Sequence, residues 1–315
     1  MCRLFGFRSA VESPAHHSLV QARDALVHQA AAHPDGWGIG WFDGDDAYVV
    51  KTARAAVDCE RFRRVTQGLR SHTLVAHLRR ATVGDLDPLN AHPFRRGRWL
   101  FAHNGSIWGM EPGSASGLDA WLEAHTDPRL PAIGDTDSER LFHFLLTRLA
   151  AAGVAPDGRR PSDPMLVARV VREALVDLDR AARERELDRP LLNVILTDGR
   201  LFLAHRAGFE LHLSTQKVHC VEAARCPAEK VCLLATRPAD RPVNHLLVAS
   251  EPTATDANRW EPIPDGATIV LDAEFRLVTI APAEGWVPPT FRPEAIRAHR
   301  AGPAAGLAPC GTRRR

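Results

Sequence analysis

The order of secondary-structure patterns along the 315-residue chain predicts an α+β fold. Strand patterns fill the first and last parts of the sequence, two strong helix patterns lie between them, and short turn signals join strand pairs on both sides. Strands separated by such turns are typical of antiparallel hairpins. Because strands and helices are segregated along the chain, antiparallel sheets with helices packed against them are favoured over a strictly alternating βαβ fold.

The composition is typical of a soluble globular protein, with 45% hydrophobic and 25% charged residues. The formal net charge of +2 gives no reason to expect nucleic acid or an acidic membrane surface as a partner. The sequence has no apolar run of the ~18 residues that a membrane helix needs, and no signal peptide at its N-terminus. We therefore expect a cytoplasmic protein with neither a membrane nor a nucleic-acid partner.

The first part of the chain is expected to combine short strands with a helix. Leu4–Phe7 predicts a strand, and Ser9–Pro14 predicts a turn after it. Apolar residues three to four positions apart over His17–Ala32 predict a modest amphipathic helix. Trp37–Phe42 and Tyr48–Lys51 then predict the two strands of a hairpin.

The two central helices begin at clear N-terminal signals. Thr136 and Glu139 fit a capping box, in which the threonine is the N-cap and the glutamate stands three residues later. Asp163 followed by Pro164 gives the second helix an N-cap and a proline in its first turn. Large apolar residues recur at the helical period after each signal, so both helices should bury one broad face.

Strands return in the last part of the chain. Leu191–Leu196 and Leu201–Leu203 flank an Asp-Gly turn and predict a hairpin. Apolar runs predict three further strands, at His245–Ala249, Thr268–Leu271 and Phe275–Ile280.

A cysteine directly after the initiator methionine could act as a nucleophile. Removal of Met1 by an aminopeptidase would leave Cys2 with a free α-amine, whose pKa is ordinarily ~8. One residue would then carry both a thiol and a base, as in N-terminal-nucleophile enzymes. The position of the cysteine could equally be an accident. If the thiol is the nucleophile, the protein should be inactive until Met1 is removed.

Two polar clusters follow strand patterns. Arg79 and Arg80 stand at the end of one strand and could clamp a carboxylate in bidentate fashion, or could simply be surface charge. The Asn104 amide and the backbone N–H of Gly105 could converge on one oxygen, or could belong to an ordinary Asn-Gly turn.

Asp137 lies in the first turn of the capped helix, where it could anchor a substrate ammonium or complement the helix dipole. The sequence gives no support for a metal or another cofactor. The spaced glycines of residues 35–40 lack the strand and helix that flank a dinucleotide-binding loop. The six cysteines contain no Cys-x-x-Cys pair, and His72 and His77 would lie on opposite faces of a strand.

Taken together, these clusters make the chain resemble the class II glutamine amidotransferases, an N-terminal-nucleophile family that hydrolyses glutamine or another γ-glutamyl amide. The matching segments, in the family's order, are Met1–Leu4, Asp35–Gly38, His77–Thr82, Asn90–Phe94, His103–Gly105 and Thr136–Glu139. Asn193–Gly199 and Ala249–Pro252 are similar to the compact, stand-alone branch, which includes the ergothioneine-pathway amidohydrolase and the glutathione-degrading amidotransferase component.

The resemblance implies a fold and a domain organisation. The fold would be a four-layer αββα sandwich of the N-terminal-nucleophile hydrolase type, with two mainly antiparallel sheets between helical layers. The amidotransferase domain would cover residues 2–285. The composition itself, with six arginines against one glutamate from Arg292 onward, predicts that residues 286–315 form a basic, disordered tail.

The resemblance also implies roles for the clusters. Cys2 would be the nucleophile and its own α-amine the base, while the Asn104 amide and the Gly105 N–H would form the oxyanion hole. The γ-glutamyl group would be held at its far end by three residues that bind its α-carboxylate or α-ammonium: Arg79 and Thr82 for the carboxylate and Asp137 for the ammonium.

The chain departs from the larger family members at Arg80, where they often have tryptophan, and at Val83, where they often have histidine. These departures leave the acyl-acceptor side of the pocket undefined. The leading expectation is a stand-alone hydrolase that cleaves glutamine or a small γ-glutamyl metabolite through a Cys2 thioester. The alternatives are a glutaminase subunit that supplies ammonia to a separate synthase partner, and an inactive binding module with the same fold.

Overall fold

The computed structural model describes residues 2–57, 59–110, 114–220, 224, 233 and 242–290. Within these ranges the strands form two antiparallel sheets, one of seven strands and one of six. The strands are β1 (Arg3–Pro14), β2 (Gly36–Asp43), β3 (Asp46–Thr52), β4 (Arg70–Arg79), β5 (Phe94–Arg96), β6 (Trp99–Ser106), β7 (Leu191–Thr197), β8 (Phe202–His205), β9 (His212–Lys217), β10 (His245–Ala249), β11 (Asn258–Pro262), β12 (Thr268–Leu271) and β13 (Leu277–Ile280).

The first sheet has the strand order β11-β9-β10-β1-β4-β2-β3, and the second has the order β13-β12-β8-β7-β6-β5. The helices are α1 (Glu60–Gly68), α2 (Leu118–Ala124), α3 (Asp137–Ala151) and α4 (Pro164–Arg183). Shorter helical segments cover His17–Gln21, Leu26–Ala32 and Pro88–Asn90. No helix among the described residues is both long and apolar enough to cross a membrane.

The elements stack in four layers, which confirms the αββα arrangement. One buried cluster joins the facing sides of the two sheets and includes Leu4 and Val75 of the first sheet and Ile195 of the second. On the outer side of the first sheet, Trp37 packs edge-on against Phe62 of α1, with ring centroids 5.1 Å apart. α2, α3 and α4 cover the outer side of the second sheet through a third cluster. Because successive side chains of a strand point to opposite faces, each sheet directs one set of side chains towards the other sheet and the second set towards its own helices.

The two helix starts follow the predicted capping chemistry. Thr136 accepts a hydrogen bond from the Glu139 N–H at 3.2 Å, and Asp163 accepts one from the Met165 N–H at 2.9 Å. The Glu139 side chain, however, accepts a bond from the Gly134 N–H at 2.7 Å. The first two contacts satisfy backbone donors that a helix leaves unpaired in its first turn, and the third satisfies the N–H of Gly134, which precedes α3.

The turn predicted over Ser9–Pro14 is wrong, because β1 continues to Pro14. After an irregularity in the pairing, Ser13 and Pro14 still pair with β4. The single helix predicted over His17–Ala32 is also wrong: two short segments replace it, and the side chain of Asp24 between them accepts a bond from the Thr255 N–H at 3.1 Å. A contact that distant in sequence overrides the local helical pattern.

The strands β5, β9 and β11 and the helix α2 were not predicted. β5, β9 and β11 are short, and β11 and β5 are edge strands of their sheets. The sequence of β9, His-Leu-Ser-Thr-Gln-Lys, has little apolar character. Most of the predicted tail, residues 291–315, lies outside the described residues, and the boundary between residues 285 and 286 stays a prediction.

Candidate active site

The predicted site residues lie on both sheets and on the start of α3. Cys2 precedes β1, and the pairing of Arg3 with Leu78 places it beside Arg79, the last residue of β4. Asn104 and Gly105 lie near the end of β6 in the second sheet. Asp137 is the first residue of α3. Strand ends of two stacked sheets and one helix start therefore meet at one place.

The thiol of Cys2 is half-buried and is held by the backbone of Arg80. Its Sγ lies 3.3 Å from the Arg80 N–H nitrogen, which donates to it, and 3.4 Å from the Arg80 carbonyl oxygen. Burial raises the pKa of the thiol above its ordinary value, against the opposing effects of the Arg80 hydrogen bond and the Arg79 charge. A thiol with a raised pKa needs a base to become a nucleophile near neutral pH.

The residue after the cysteine anchors it in place. Arg3 donates to the Cys2 carbonyl oxygen at 3.3 Å and to the side-chain oxygen of Gln29 at 3.0 Å, and it forms an ion pair with Glu251. The start of β1 is therefore fixed by contacts to segments distant in sequence.

The guanidinium of Arg79 is buried, with 3% of the residue exposed. It donates to three consecutive carbonyls of the loop that follows β4: Val83 at 2.9 Å, Gly84 at 3.2 Å and Asp85 at 2.8 Å. Gly84 makes this curl possible, because its φ of 76° suits glycine. These bonds engage at most three of the five guanidinium N–H groups, so donors remain for a carboxylate.

The carboxylate of Asp137 is also buried, and both of its oxygens have partners. Oδ2 accepts from the Ile107 N–H at 2.9 Å, and Oδ1 accepts from Ser138, from its N–H at 2.8 Å and from its hydroxyl at 3.2 Å. Asp137 thus joins the segment after β6 to the start of α3. An ionised carboxylate has about four acceptor positions, so roughly one remains for an ammonium group.

Asn104 is 2% exposed and does not line the cavity that Cys2, Arg79 and Asp137 share. Its Nδ2 donates to the hydroxyl of Ser250 at 3.3 Å, while its Oδ1 is buried and has no hydrogen-bond partner. The same Ser250 hydroxyl accepts from the Leu4 N–H at 3.0 Å. Ser250 therefore connects the strand that carries the cysteine to the amide of Asn104.

Gly105 does line the cavity, and no other residue fits at its position. A Cβ there would lie 1.7 Å from the Leu191 carbonyl oxygen and 2.3 Å from Nε2 of His103. His103 is itself fixed by Ser138 at 2.9 Å and by the Leu191 carbonyl at 2.8 Å. The backbone of Gly105 is thus held between β7 and α3.

A small cavity of about 20 Å³, room for roughly one water molecule, joins most of these groups. The predicted site residues that line it are Cys2, Arg79, Thr82, Gly105 and Asp137. Arg80 lines it as well, and so do five polar residues for which no role in the site was predicted from the sequence: Asn90, His92, His103, Thr136 and Ser138.

Two buried histidines lie next to each other, and one of them, His92, lines the cavity. The rings of His77 and His92 are 4.3 Å apart, and their ring nitrogens have no hydrogen-bond partner among the described residues. Burial holds the pKa of each imidazole well below its ordinary value, and the charge of Arg79 lowers it further. Both rings are therefore neutral at neutral pH and add no positive charge to the cavity.

No group of three or more His, Cys, Asp or Glu side chains in the described part of the chain is arranged to hold a metal ion. The role of Ser250 was not predicted, although the resemblance includes its segment, Ala249–Pro252. A serine immediately after a buried strand pattern was the available signal, but its partner Asn104 lies 146 residues away.

Comparison with known proteins gives a consistent result. The family model described as Glutamine amidotransferases class-II matches residues 1–288. The putative glutamine amidotransferase YafJ of Escherichia coli is 28% identical over 69% of this chain and 77% of its own length. A gamma-glutamyl-hercynylcysteine sulfoxide hydrolase of Mycobacterium tuberculosis is 37% identical over 32% of this chain and 47% of its own length.

The fold is shared with a solved structure, a glutamine aminotransferase class-II domain protein from Silicibacter pomeroyi. The two superpose with a TM-score of 0.57 at 18% identity, over 90% of this chain and 100% of that one. At this identity the likeness concerns the fold alone.

Proposed function

The chain belongs to the class II glutamine amidotransferases, and on this premise we propose that it hydrolyses a γ-glutamyl amide bond through a thioester on Cys2. Membership makes the chain an amidohydrolase; the nucleophile, the substrate and the roles of single residues are the proposal. The observation that carries it is that Cys2, Arg79, Gly105 and Asp137 line one small cavity.

The first step is activation of the thiol. After removal of Met1, which lies outside the described residues, the α-amine of Cys2 takes the thiol proton, directly or through a water. Because burial raises the pKa of this thiol, the base is required. The sulfur then attacks the γ-carbonyl carbon, and the amine returns the proton to the leaving nitrogen. Water attacks the resulting thioester, which releases the γ-carboxylate and restores the thiol.

The second requirement is to hold the γ-glutamyl group in place. Its far end carries one carboxylate and one ammonium. Arg79, fixed by three loop carbonyls, has N–H donors left for the carboxylate, and Asp137 has an acceptor position left for the ammonium. Thr82 lines the same cavity and assists in the carboxylate pocket. Clamping this end positions the γ-carbonyl against the sulfur, which lowers the entropic part of the barrier.

The third requirement is to stabilise the oxyanion. The backbone N–H of Gly105 and the amide of Asn104 are its donors. In one orientation of this amide, Nδ2 donates to Ser250 and Oδ1 is buried without a partner. Rotation by 180° about the Cβ–Cγ bond lets the Ser250 hydroxyl donate to Oδ1 and frees Nδ2 for the oxyanion. We assign this second orientation to the reacting enzyme, because it leaves no buried acceptor unpaired.

Similarity to a gamma-glutamyl-hercynylcysteine sulfoxide hydrolase supports a small γ-glutamyl compound as substrate. An inactive binding module is disfavoured, because Arg79, Gly105 and Asp137 all line the cavity beside Cys2. Hydrolysis by the purified chain alone would support a stand-alone hydrolase, whereas activity that appears only with an added synthase subunit would support an ammonia-supplying role.

Intact-mass measurement with a γ-glutamyl diazoketone, which alkylates a reactive thiol, tests the proposal. We expect a mass that corresponds to the chain without Met1 and with a single adduct, located at Cys2. Cys220, the other free cysteine among the described residues, provides the matched control: Cys220→Ala should keep the adduct and Cys2→Ala should lose it. Retained Met1, or an adduct that persists in Cys2→Ala, would contradict the proposal.

A further inference from the structure

A second arginine, Arg80, lines the cavity around Cys2, and its charge is not neutralised within the described part of the chain. The residue is half-buried, and its Nε is enclosed without a hydrogen-bond partner. Placing a guanidinium partly out of water without a partner costs free energy. A ligand that supplies an anion would remove this cost.

The neighbouring carboxylates are engaged elsewhere. Asp35 accepts from the Ala81 N–H at 2.8 Å, Asp135 accepts from the side-chain amide of Asn90 at 3.3 Å, and Asp137 accepts from Ile107 and Ser138. None of them forms an ion pair with Arg80. The charged side chains that line the cavity are therefore two arginines and one aspartate.

The two arginines face different parts of a bound substrate. Arg79 points into the loop that follows β4, where it meets the far end of the γ-glutamyl group. Arg80 is the next residue and lies just past the end of β4. Its backbone holds the Cys2 sulfur at 3.3 and 3.4 Å. The Arg80 side chain thus starts beside the reacting sulfur, where the leaving group of a bound γ-glutamyl amide would lie.

The charges then decide between substrate classes. Glutamine brings one carboxylate and one ammonium, which pair with Arg79 and Asp137 and leave Arg80 unpaired. A γ-glutamyl amino acid or peptide brings one more carboxylate, on its leaving group. We propose that Arg80 binds this second carboxylate, so that γ-glutamyl amino acids and short γ-glutamyl peptides are better substrates than glutamine. This inference rests on the proposed function and adds its leaving-group specificity.

The test compares γ-glutamylglycine with γ-glutamylethylamide, in which a methyl group replaces the carboxylate. We expect the purified protein to have a kcat/KM about tenfold higher for γ-glutamylglycine, as one charge-assisted hydrogen bond at a partly exposed site supplies. Arg80→Gln should bring the ratio of the two kcat/KM values close to one, and Arg80→Lys should keep part of the preference. Arg61→Gln, at an exposed arginine on α1, is the matched control and should leave the ratio unchanged.

Because the ratio compares two substrates on the same protein sample, partial loss of folded protein cancels. Equal kcat/KM values for the two substrates, or a ratio that Arg80→Gln leaves unchanged, would overturn the role of Arg80 while hydrolysis itself stands. Failure of the purified protein to hydrolyse either substrate would overturn the proposed function, and this inference with it.

Discussion

At the scale of single residues, the arginine at the end of β4 illustrates how the surroundings make a side chain specific. The loop carbonyls of Val83, Gly84 and Asp85 hold the Arg79 guanidinium in one plane. A planar fork matches a carboxylate with two parallel hydrogen bonds, whereas a lysine ammonium is a compact point charge. A lysine in place of Arg79 would keep the positive charge but not the planar guanidinium fork, so it should not keep the binding of the substrate carboxylate.

We expect Arg79→Lys to raise the KM for a γ-glutamyl substrate by about tenfold to a hundredfold, with a smaller effect on kcat. The raised KM would reflect lost binding to the α-carboxylate, since the proposed contact would be present both before and during the reaction. Arg95→Lys, at a position outside the cavity, serves as the control. A KM for Arg79→Lys equal to that of the parent would show that this arginine does not bind the substrate.

The amide of Asn104 and the hydroxyl of Ser250 should act as a unit. We expect Asn104→Ala to lower kcat by about a hundredfold, on the order of 3 kcal/mol, with little change in KM. Ser250→Ala should lower kcat less, because it leaves the amide present but free to rotate. In the double variant the loss should equal that of Asn104→Ala alone, since a positioning group has no effect once its target is gone.

Steady-state kinetics of the three variants check this expectation. The matched control is Ser71→Ala. It removes another buried hydroxyl, on β4 of the first sheet, which donates to the Phe42 carbonyl at 2.8 Å. It should affect stability but not kcat. If the losses of Ser250→Ala and Asn104→Ala simply add, Ser250 does not act through the amide.

At the scale of elements, close contact between β6 and β7 requires glycine at one position. A Cβ at Gly105 would lie 1.7 Å from the Leu191 carbonyl oxygen, so β7 would have to move. We expect Gly105→Ala to lower the free energy of unfolding by about 3 kcal/mol or more and to abolish turnover. At Gly68 on α1 a Cβ meets nothing within 4 Å, so Gly68→Ala should be neutral or stabilising by up to ~1 kcal/mol.

Urea unfolding followed by circular dichroism, together with activity, checks the pair of variants. A folded and active Gly105→Ala protein would show that the packing at this point of β6 can relax. The contrast between two glycines with different surroundings separates a packing effect from the general effect of glycine substitution on the unfolded chain.

Elements with strong local signals could be predicted from the sequence, and elements defined by distant partners could not. The starts of α3 and α4 and the hairpin of β2 and β3 depend on caps and turns a few residues long, and all three are confirmed. β9 is a strand only because β10 and β11 flank it. The same limit applies to the site: residue types at strand ends could be listed, but the link from Ser250 to Asn104 spans 146 residues.

At the scale of the whole molecule, burial of histidines between and beside the sheets should make the fold sensitive to acid. His77, His92 and His103 lie at the site, and His205 and His245 lie elsewhere in the two sheets; burial lowers the pKa of all five. For His205 and His245 the pKa falls to about 3. The unfolded chain takes up these protons near pH 6.5 instead, as exposed imidazoles do.

The sign of the effect follows from this difference. Between pH ~6.5 and the folded pKa of about 3, the unfolded chain binds more protons than the folded protein, so stability falls as the pH falls through that window. On lowering the pH from about 7.5 to about 5.5, His205 and His245 should each cost about 1.4 kcal/mol of unfolding free energy. The full free energy of unfolding is retained only at pH values above the histidine pKa of the unfolded chain.

His205→Gln isolates one member of this group away from the site. Glutamine can keep a hydrogen bond to the Thr268 hydroxyl, which lies 2.8 Å from Nδ1 of His205, but does not titrate. We expect the loss of unfolding free energy between about pH 7.5 and 5.5 to be smaller by about 1 kcal/mol in this variant than in the parent. The exposed His28 provides the control, and His28→Gln should keep the parent's pH dependence. Urea unfolding at the two pH values measures both.

The pH dependence, and not the stability at one pH, is the quantity compared, so a change in packing caused by the substitution cancels. An equal loss in His205→Gln and in the parent would mean that this imidazole takes up its proton in the folded protein as readily as in the unfolded chain, and that acid destabilises the fold by another route.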